Sequence, residues 1–83
     1  MVKAKVYVTL KQSVLDPQGS AVQSGLVAMG YHDVQDVRVG KYLELILDTD
    51  AHTAQEQIRE MCDRLLANPV IEEYRFEITG GEA

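Results

Sequence analysis

The residues best placed to do chemistry form the stretch Asp16-Pro17-Gln18-Gly19, between a strand pattern and a helix pattern. Glycine before a helix is typical of loops that bind phosphate through free backbone N–H groups. Such loops usually contain several glycines and a lysine followed by serine or threonine. This stretch has one glycine and no cation. We therefore interpret it as a helix entrance, with Asp16 as N-cap and Pro17 as the first helical residue.

Gly19 within that helix requires its own explanation, because glycine in a helix costs up to about 1 kcal/mol relative to alanine. Two interpretations stay open at this point. Either Gly19 permits the close approach of another backbone, or the glycine is merely tolerated.

The other reactive residue types do not combine into a recognisable catalytic or metal site. Cys62 falls on the apolar stripe of a predicted helix, where a buried cysteine behaves as a small hydrophobic residue. His32 and His52 lie near element ends, outside any metal-ligand spacing. The acidic residues are spread over solvated faces, and no pair is identifiable as acid and base. We expect no catalytic, cofactor-binding or metal-binding residue in this chain.

The elements that position these residues follow from hydrophobic periodicity. Apolar residues recur with period two in strand segments and at spacings of three and four in helix segments. The predicted apolar stripes are Val22, Leu26 and Met29 in the first helix, and Ala51, Ala54, Ile58, Met61 and Leu65 in the second. Gly30 ends the first helix and Pro69 ends the second, whose start is either Asp50 or a Thr53–Glu56 capping box. The predicted elements are strand Val2–Leu10, helix 17–29, strand 32–40, strand 42–48, helix 51–66 and strand 74–78.

The second and third predicted strands form a hairpin with its turn at Gly40-Lys41. If Val39 pairs with Tyr42, the leucines of one strand oppose polar residues of the other, so apolar residues fall on both faces. Either a bulge shifts the register, or the second face is covered by another subunit. In a chain this small we favour the second explanation.

The order strand, helix, strand, strand, helix, strand predicts an α+β fold. Its plan is ferredoxin-like (βαββαβ), a two-layer sandwich of a four-stranded antiparallel sheet with two helices on one face. This fold hosts many functions and does not identify one. We expect one domain, residues 1–83, with residues 79–83 as a frayed tail. Because a core this small rarely supplies more than about 3–5 kcal/mol, we expect an oligomer.

Composition narrows the classes of partner and compartment. Thirteen acidic and eight basic residues give a net charge of -5, whereas nucleic-acid binders cluster lysine and arginine against phosphate. We expect neither a nucleic-acid partner nor a membrane segment. The single cysteine favours a reducing compartment, and the chain starts without the apolar segment of a signal peptide. These features predict a cytoplasmic protein.

Three segments together resemble the PurS family, the small subunit of phosphoribosylformylglycinamidine (FGAM) synthase. They are VLDPQG after the first strand, VQDVRVGKYLEL through the predicted hairpin, and MCDRLLANPVIEEY from the second helix into the last strand. The resemblance extends from Val2 to about Ile78. Each piece alone is weak, but their combination is specific.

The resemblance implies a non-catalytic subunit of an ATP-dependent C–N ligase. In such systems a large synthetase subunit uses ATP and magnesium to activate formylglycinamide ribonucleotide, and a glutaminase subunit supplies ammonia from glutamine. The small subunit, as a dimer or tetramer, resembles a bracket between them and binds no cofactor itself. Exposure and charge predict partner contacts at Asp16, Gln18, Gly19, Arg38, Lys41, Asn68 and Glu72.

A different class of function also fits the predicted order of elements. Regulatory modules of the ACT type share that order and bind amino acids between the two copies of a dimer. Such modules are usually fused to an enzyme or regulator. A third interpretation, a stand-alone enzyme, would need catalytic residues that we do not find in the sequence.

Overall fold

The computed structural model describes residues 1–80. These residues form β1 (Val2–Leu10), α1 (Pro17–Ala28), β2 (Lys41–Leu47), α2 (Ala51–Met61) and β3 (Glu72–Gly80) in chain order. A π-helical turn, Cys62–Leu66, continues α2. Two residues of the predicted tail, Thr79 and Gly80, belong to β3, and residues 81–83 lie outside the described residues.

The sheet is antiparallel, with β1 between β2 and β3. Val2 of β1 is level with Leu47 on one side and Gly80 on the other, and the period of two places alternate residues of all three strands on the same face. That face packs against α2, as predicted for the strand Val2–Leu10. The buried core contains Val2, Ala4, Val6, Val8, Leu47, Ala54, Ile58, Cys62 and Ala67.

The predicted strand 32–40 and its hairpin are wrong. This segment is irregular, and its backbone groups bond to side chains instead of a strand ladder: Val39 N–H donates to Asp16 Oδ2 at 2.8 Å, and Val34 C=O accepts from Gln23 Nε2 at 3.1 Å. β2 pairs directly with β1. Over residues 1–80 the sheet therefore has three strands, not the four of the predicted ferredoxin-like plan.

The register conflict disappears with the hairpin. Leu43 and Leu45 lie level with Val6 and Ala4 of β1, so these leucines share the face that packs against α2. The opposite face carries polar side chains, including a Lys3–Glu44 ion pair of 3.4 Å. Neither a bulge nor a covered second face is needed to explain the β2 leucines.

The predicted apolar stripe of α2 is displaced at its end. Ala67 N–H donates to Cys62 C=O at 3.0 Å, a bond that spans five residues instead of four. The extra residue rotates the following positions, so Leu65, predicted to face the core, is 81% exposed and Ala67 is buried instead. Cys62 itself is buried, as predicted.

Residues 11–40, here called the arm, stand apart from the core. The arm includes α1, and only Asp16 and Gly19 in it are buried. The molecule measures 50 × 26 × 13 Å with a radius of gyration of 16.2 Å, whereas a compact chain of this length would have about 12 Å. The predicted core stripe of α1 is correspondingly exposed, with Val22 45% and Met29 71% accessible. The arm therefore gains little hydrophobic stabilisation from its own chain.

Candidate partner-binding surface

Asp16 joins the start of α1 to the segment that leads into β2. Its Oδ1 accepts from Gly19 N–H at 2.9 Å as the predicted N-cap, and its Oδ2 accepts from Val39 N–H at 2.8 Å. These two backbone bonds, in that order, lower the pKa of the Asp16 carboxyl group, and the nearby Arg38 adds to the effect. The carboxylate therefore holds the start of α1 against the segment that leads into β2.

Gly19 lies where the two sides of the arm come closest. A Cβ atom at this position would be 2.0 Å from Val37 C=O and 2.9 Å from Asp16 Oδ2. Only a residue without a side chain fits, because the obstructing atom is backbone and cannot rotate away. Of the two interpretations of Gly19, close approach of another backbone is confirmed.

Arg38 fixes the loop between β1 and α1. Its Nη1 donates to Val14 C=O at 2.8 Å and its Nη2 donates to Gln12 C=O at 3.1 Å. Its Nε lies 3.5 Å from Asp36 Oδ2, an ion pair that lacks the geometry of a hydrogen bond. The guanidinium thus satisfies the Gln12 and Val14 carbonyls of that loop.

The predicted contact residues have two main roles, and Asp16 has both. Asp16, Gly19 and Arg38 hold the arm together from within, and a substitution at any of them would change its shape. The structure also brings several of the seven to one open cleft of about 460 Å³, between the base of the arm and the end of the sheet. That cleft is lined in part by Asp16, Gln18, Lys41 and Glu72.

Asn68 supports the cleft without lining it. The Asn68 N–H donates to Glu72 Oε1 at 2.7 Å, and Glu72 N–H donates to Asn68 C=O at the same distance. Asn68 Oδ1 also accepts from Val70 N–H at 3.1 Å. These bonds shape the turn that leads from the π-helical turn into β3, and so place Glu72.

The sequence reasoning missed a second polar surface, on the sheet face opposite α2. Tyr7 OH donates to Glu77 Oε1 at 2.8 Å, and the Arg75 guanidinium lies 4.1 Å from the centre of the Tyr7 ring. Tyr42 OH donates to Glu44 Oε2 at 2.6 Å, and this bond raises the pKa of Tyr42 to about 12. Alternating polar residues in β1 were the available signal, but the cross-strand partners of Tyr7 lie on β3, 70 residues along the chain for Glu77, and the order of elements alone gives no register for that pairing.

The reactive residues occupy the positions expected of them. Burial raises the pKa of the Cys62 thiol, which disfavours the reactive thiolate. His52 Nε2 lies 3.2 Å from Glu56 Oε2 one turn along α2, and His32 is exposed. Within residues 1–80, no group of three or more histidine, cysteine or acidic side chains is arranged to hold a metal ion. No helix in this part of the chain has the length and apolar character to cross a membrane.

Asp16→Asn is expected to lower the free energy of unfolding at neutral pH, and this loss should vanish in acid. Because the folded-state pKa of Asp16 is lowered, its carboxylate stabilises the fold above the unfolded-state pKa of about 3.9. That stabilisation is lost as the pH falls through the folded-state pKa. Urea unfolding of both proteins across this range measures the difference.

Asp48→Asn, which changes an exposed carboxylate, is the control for a general change in net charge. A loss in Asp16→Asn that stays the same from neutral pH to about pH 2 would show that the Asp16 charge does not stabilise the fold.

The known proteins that this chain resembles match it over nearly all of these elements. The model of the family described as "PurS: Phosphoribosylformylglycinamidine (FGAM) synthase" matches residues 3–80. The chain is 58% identical over 78 residues to the FGAM synthase subunit PurS of Bacillus subtilis, covering 94% of this chain and 93% of the relative. It is 60% identical over 79 residues to the corresponding Synechocystis subunit, covering 94% and 79%.

Solved structures agree in fold. The chain superposes on B. subtilis PurS with a TM-score of 0.86 at 56% identity, covering 96% of this chain and all of that one. It superposes on a chain in the structure of PurLQS from Thermotoga maritima with a TM-score of 0.81 at 27% identity, covering 95% and 99%. The three-stranded architecture with its long arm therefore resembles folds already solved.

Proposed function

The chain belongs to the PurS family, a subunit of the ligase FGAM synthase in purine biosynthesis, and from this premise we propose that it is a non-catalytic bracket in that complex. It joins the synthetase and glutaminase subunits so that ammonia from glutamine reaches formylglycinamide ribonucleotide. The observation that carries this proposal is the arm, residues 11–40, which buries only Asp16 and Gly19 against its own chain. A segment with so little core of its own is suited to contact other chains.

The proposed complex divides the chemistry among its subunits. The synthetase binds ATP and magnesium, the glutaminase produces ammonia, and this chain binds no cofactor. The bracket is a homo-oligomer, a dimer or tetramer, in the cytoplasm. The similarity to a chain of the Thermotoga PurLQS structure supports the three-subunit arrangement.

The cleft between arm and sheet is the proposed contact with a partner subunit. Its exposed members Gln18 and Lys41 offer an amide and a cation, and the half-buried Glu72 offers a carboxylate. Arg38, Gly19 and Asn68 contribute by shaping the walls. Mixed polar groups around a small apolar floor are typical of non-obligate interfaces.

Lys41→Glu is expected to weaken binding to the partner subunits at least tenfold, because it reverses an exposed charge in the cleft. The free energy of unfolding should stay within about 0.5 kcal/mol of wild type, as for other surface changes. Arg38→Glu is a poorer test, because it also removes the bonds to Val14 and Gln12. Arg64→Glu, an equal charge reversal on the exposed face of the π-helical turn, is the control. If the Lys41→Glu and Arg64→Glu variants bind the partner subunits equally well, Lys41 is not part of the interface.

The proposed function is tested by FGAM synthesis with synthetase and glutaminase, in the presence and absence of this chain. A bracket should restore the glutamine-dependent reaction while changing the ammonia-dependent reaction little, since free ammonia needs no coupling between subunits. If neither reaction responds to the chain, the bracket function is wrong. Calorimetry with a panel of amino acids then tests the ACT-type alternative, for which tight binding is expected.

A further inference from the structure

We propose that Arg75, on the sheet face opposite α2, binds a carboxylate of a partner subunit. This inference rests on the proposed bracket function and deepens it, because it adds a second contact surface and states the chemistry of the partner there. The surface is an open cleft of about 390 Å³ at the end of the sheet, here called the tyrosine cleft. Residues that line it include Tyr7, Thr9, Tyr42, Glu73 and Arg75.

Two tyrosines fix the position of Arg75 in the absence of a partner. Tyr7 lies level with Arg75 on one side and with Tyr42 on the other, because β1 is the central strand. Arg75 Cζ lies 4.1 Å from the centre of the Tyr7 ring, and the centres of the two tyrosine rings are 5.2 Å apart. The Tyr7 hydroxyl in turn donates to Glu77 Oε1 at 2.8 Å. A guanidinium stacked in this way loses little side-chain entropy when it binds a partner.

The side-chain N–H groups of Arg75 have no acceptor within residues 1–80, since the guanidinium contacts the Tyr7 ring instead. Glu77 already accepts from Tyr7, and Glu73, which lines the same cleft, forms no ion pair with Arg75. A guanidinium presents a planar fork of N–H donors that matches a carboxylate in bidentate geometry. The group that completes this site is therefore a carboxylate supplied by another molecule.

The openness of the cleft favours a protein surface as the source of that carboxylate. Sites for small molecules bury most of their ligand, whereas Tyr42, Glu73 and Arg75 are all exposed. Tyrosine and arginine are also among the residues that most often supply the binding energy of protein interfaces. An acidic side chain on a partner's surface therefore fits the tyrosine cleft better than a free metabolite does.

A different protein explains this face better than a second copy does. Obligate interfaces between copies are strongly apolar, whereas Ile46 is the one large aliphatic side chain among the strand residues of this face within residues 1–80. Polar faces are typical of contacts with separate partners. The tyrosine cleft also shares four lining residues with the cleft between arm and sheet, namely Val8, Thr9, Gly40 and Lys41. One partner subunit can therefore contact Lys41 and Arg75 together.

Arg75→Lys tests the contact, because it keeps the charge but removes the planar fork and the stacking on Tyr7. The affinity for whichever of the synthetase and glutaminase forms the contact should fall about tenfold. The variant also places a primary amine at position 75, which a carbodiimide couples to a carboxylate in direct contact, whereas a guanidinium does not react. Mass spectrometry of the treated complex should find position 75 joined to an aspartate or glutamate of that partner subunit.

Arg59→Lys is the matched control. Arg59 also lies over an aromatic ring, with its Cζ 5.9 Å from the centre of the Phe76 ring, but on the α2 side of the sheet. The same substitution there should leave the affinity for both partner subunits unchanged. The amine at position 59 should give no cross-link to either of them.

The contact is excluded if the partner subunits bind Arg75→Lys and wild type equally well. It is also excluded if position 75 gives no cross-link to a partner subunit and couples only within its own chain or to a second copy. Both results leave the bracket function standing, because the same experiment measures the binding of wild type to the partners. If neither partner subunit binds the wild-type chain, the bracket function fails and the Arg75 contact fails with it.

Discussion

Gly19→Ala is expected to unfold the arm and abolish assembly of the complex. The added Cβ would stand 2.0 Å from Val37 C=O, and relief requires the two sides of the arm to separate. Overpacking against side chains typically costs about 1–3 kcal/mol, and a backbone neighbour places this change at the upper end or beyond. Separation would also break the Asp16 bond to Val39, because the same joint holds both contacts.

Gly25→Ala supplies a matched control for that experiment. It makes the same substitution in the same helix, but apart from the neighbouring backbone of α1 itself nothing lies within 4 Å of the added Cβ. Alanine should stabilise the helix there by up to about 1 kcal/mol. The two variants should therefore shift the urea midpoint in opposite directions at equal chain concentration. Equal midpoints would show that the close approach at Gly19 is not required by the folded arm.

Ile58→Ala is the second large effect, and it acts on the core instead of the arm. Ile58 is fully buried on α2 and packs in the cluster that includes Val6 and Cys62. Truncating a buried isoleucine to alanine costs about 2–5 kcal/mol, and a chain of this size has only about 3–5 kcal/mol in total. We expect Ile58→Ala to be mostly unfolded at low micromolar concentration.

A smaller truncation at Ile58 and a truncation at an exposed isoleucine are the controls for Ile58→Ala. Ile58→Val should cost only about 0.5–1.5 kcal/mol. Ile46→Ala, at a position 64% exposed on β2, should change stability by less than about 0.5 kcal/mol. Circular dichroism during urea unfolding measures all three. A folded Ile58→Ala with a midpoint near that of Ile46→Ala would mean that α2 does not anchor the core.

Both predictions bear on the proposed bracket in different ways. The core made by α2 and the sheet supplies the stability of each copy, whereas the arm supplies the shape that other chains contact. A defect at Gly19 should therefore impair assembly while much of the sheet and α2 persists. A defect at Ile58 should remove both together, because the arm is attached to that core at β1 and β2.

Rules that relate residues close in sequence predicted the elements whose own residues carry a clear pattern. The alternation from Val2 to Leu10 predicted β1, and the spacing around Ile58 predicted α2. Asp16 was identified as the N-cap of α1 and Asp50 as one of two candidates for α2, and both side chains accept from the first helical turn. These outcomes depend on periodicity and capping, which act over three or four residues.

The arm and the strand count could not be predicted in this way. Valines 34, 37 and 39 have strand propensity, but side chains distant in sequence bind the backbone of this segment. Asp16 accepts from Val39 N–H, 23 residues away, and Gln23 donates to Val34 C=O, 11 residues away. The π-helical turn likewise shifted Leu65 outward without a sequence signal that we recognised.

The family, the central strand, both helices and the cap at Asp16 could therefore be inferred from the order of residues, because each depends on neighbouring residues or on a specific combination of motifs. The folded chain was needed to show that residues 32–40 belong to the arm, that β2 pairs with β1, and that Gln18, Lys41 and Glu72 line one cleft. Those outcomes depend on contacts between residues far apart in the chain. Strand propensity cannot form a strand where long-range side-chain bonds already occupy the backbone groups that a ladder would need.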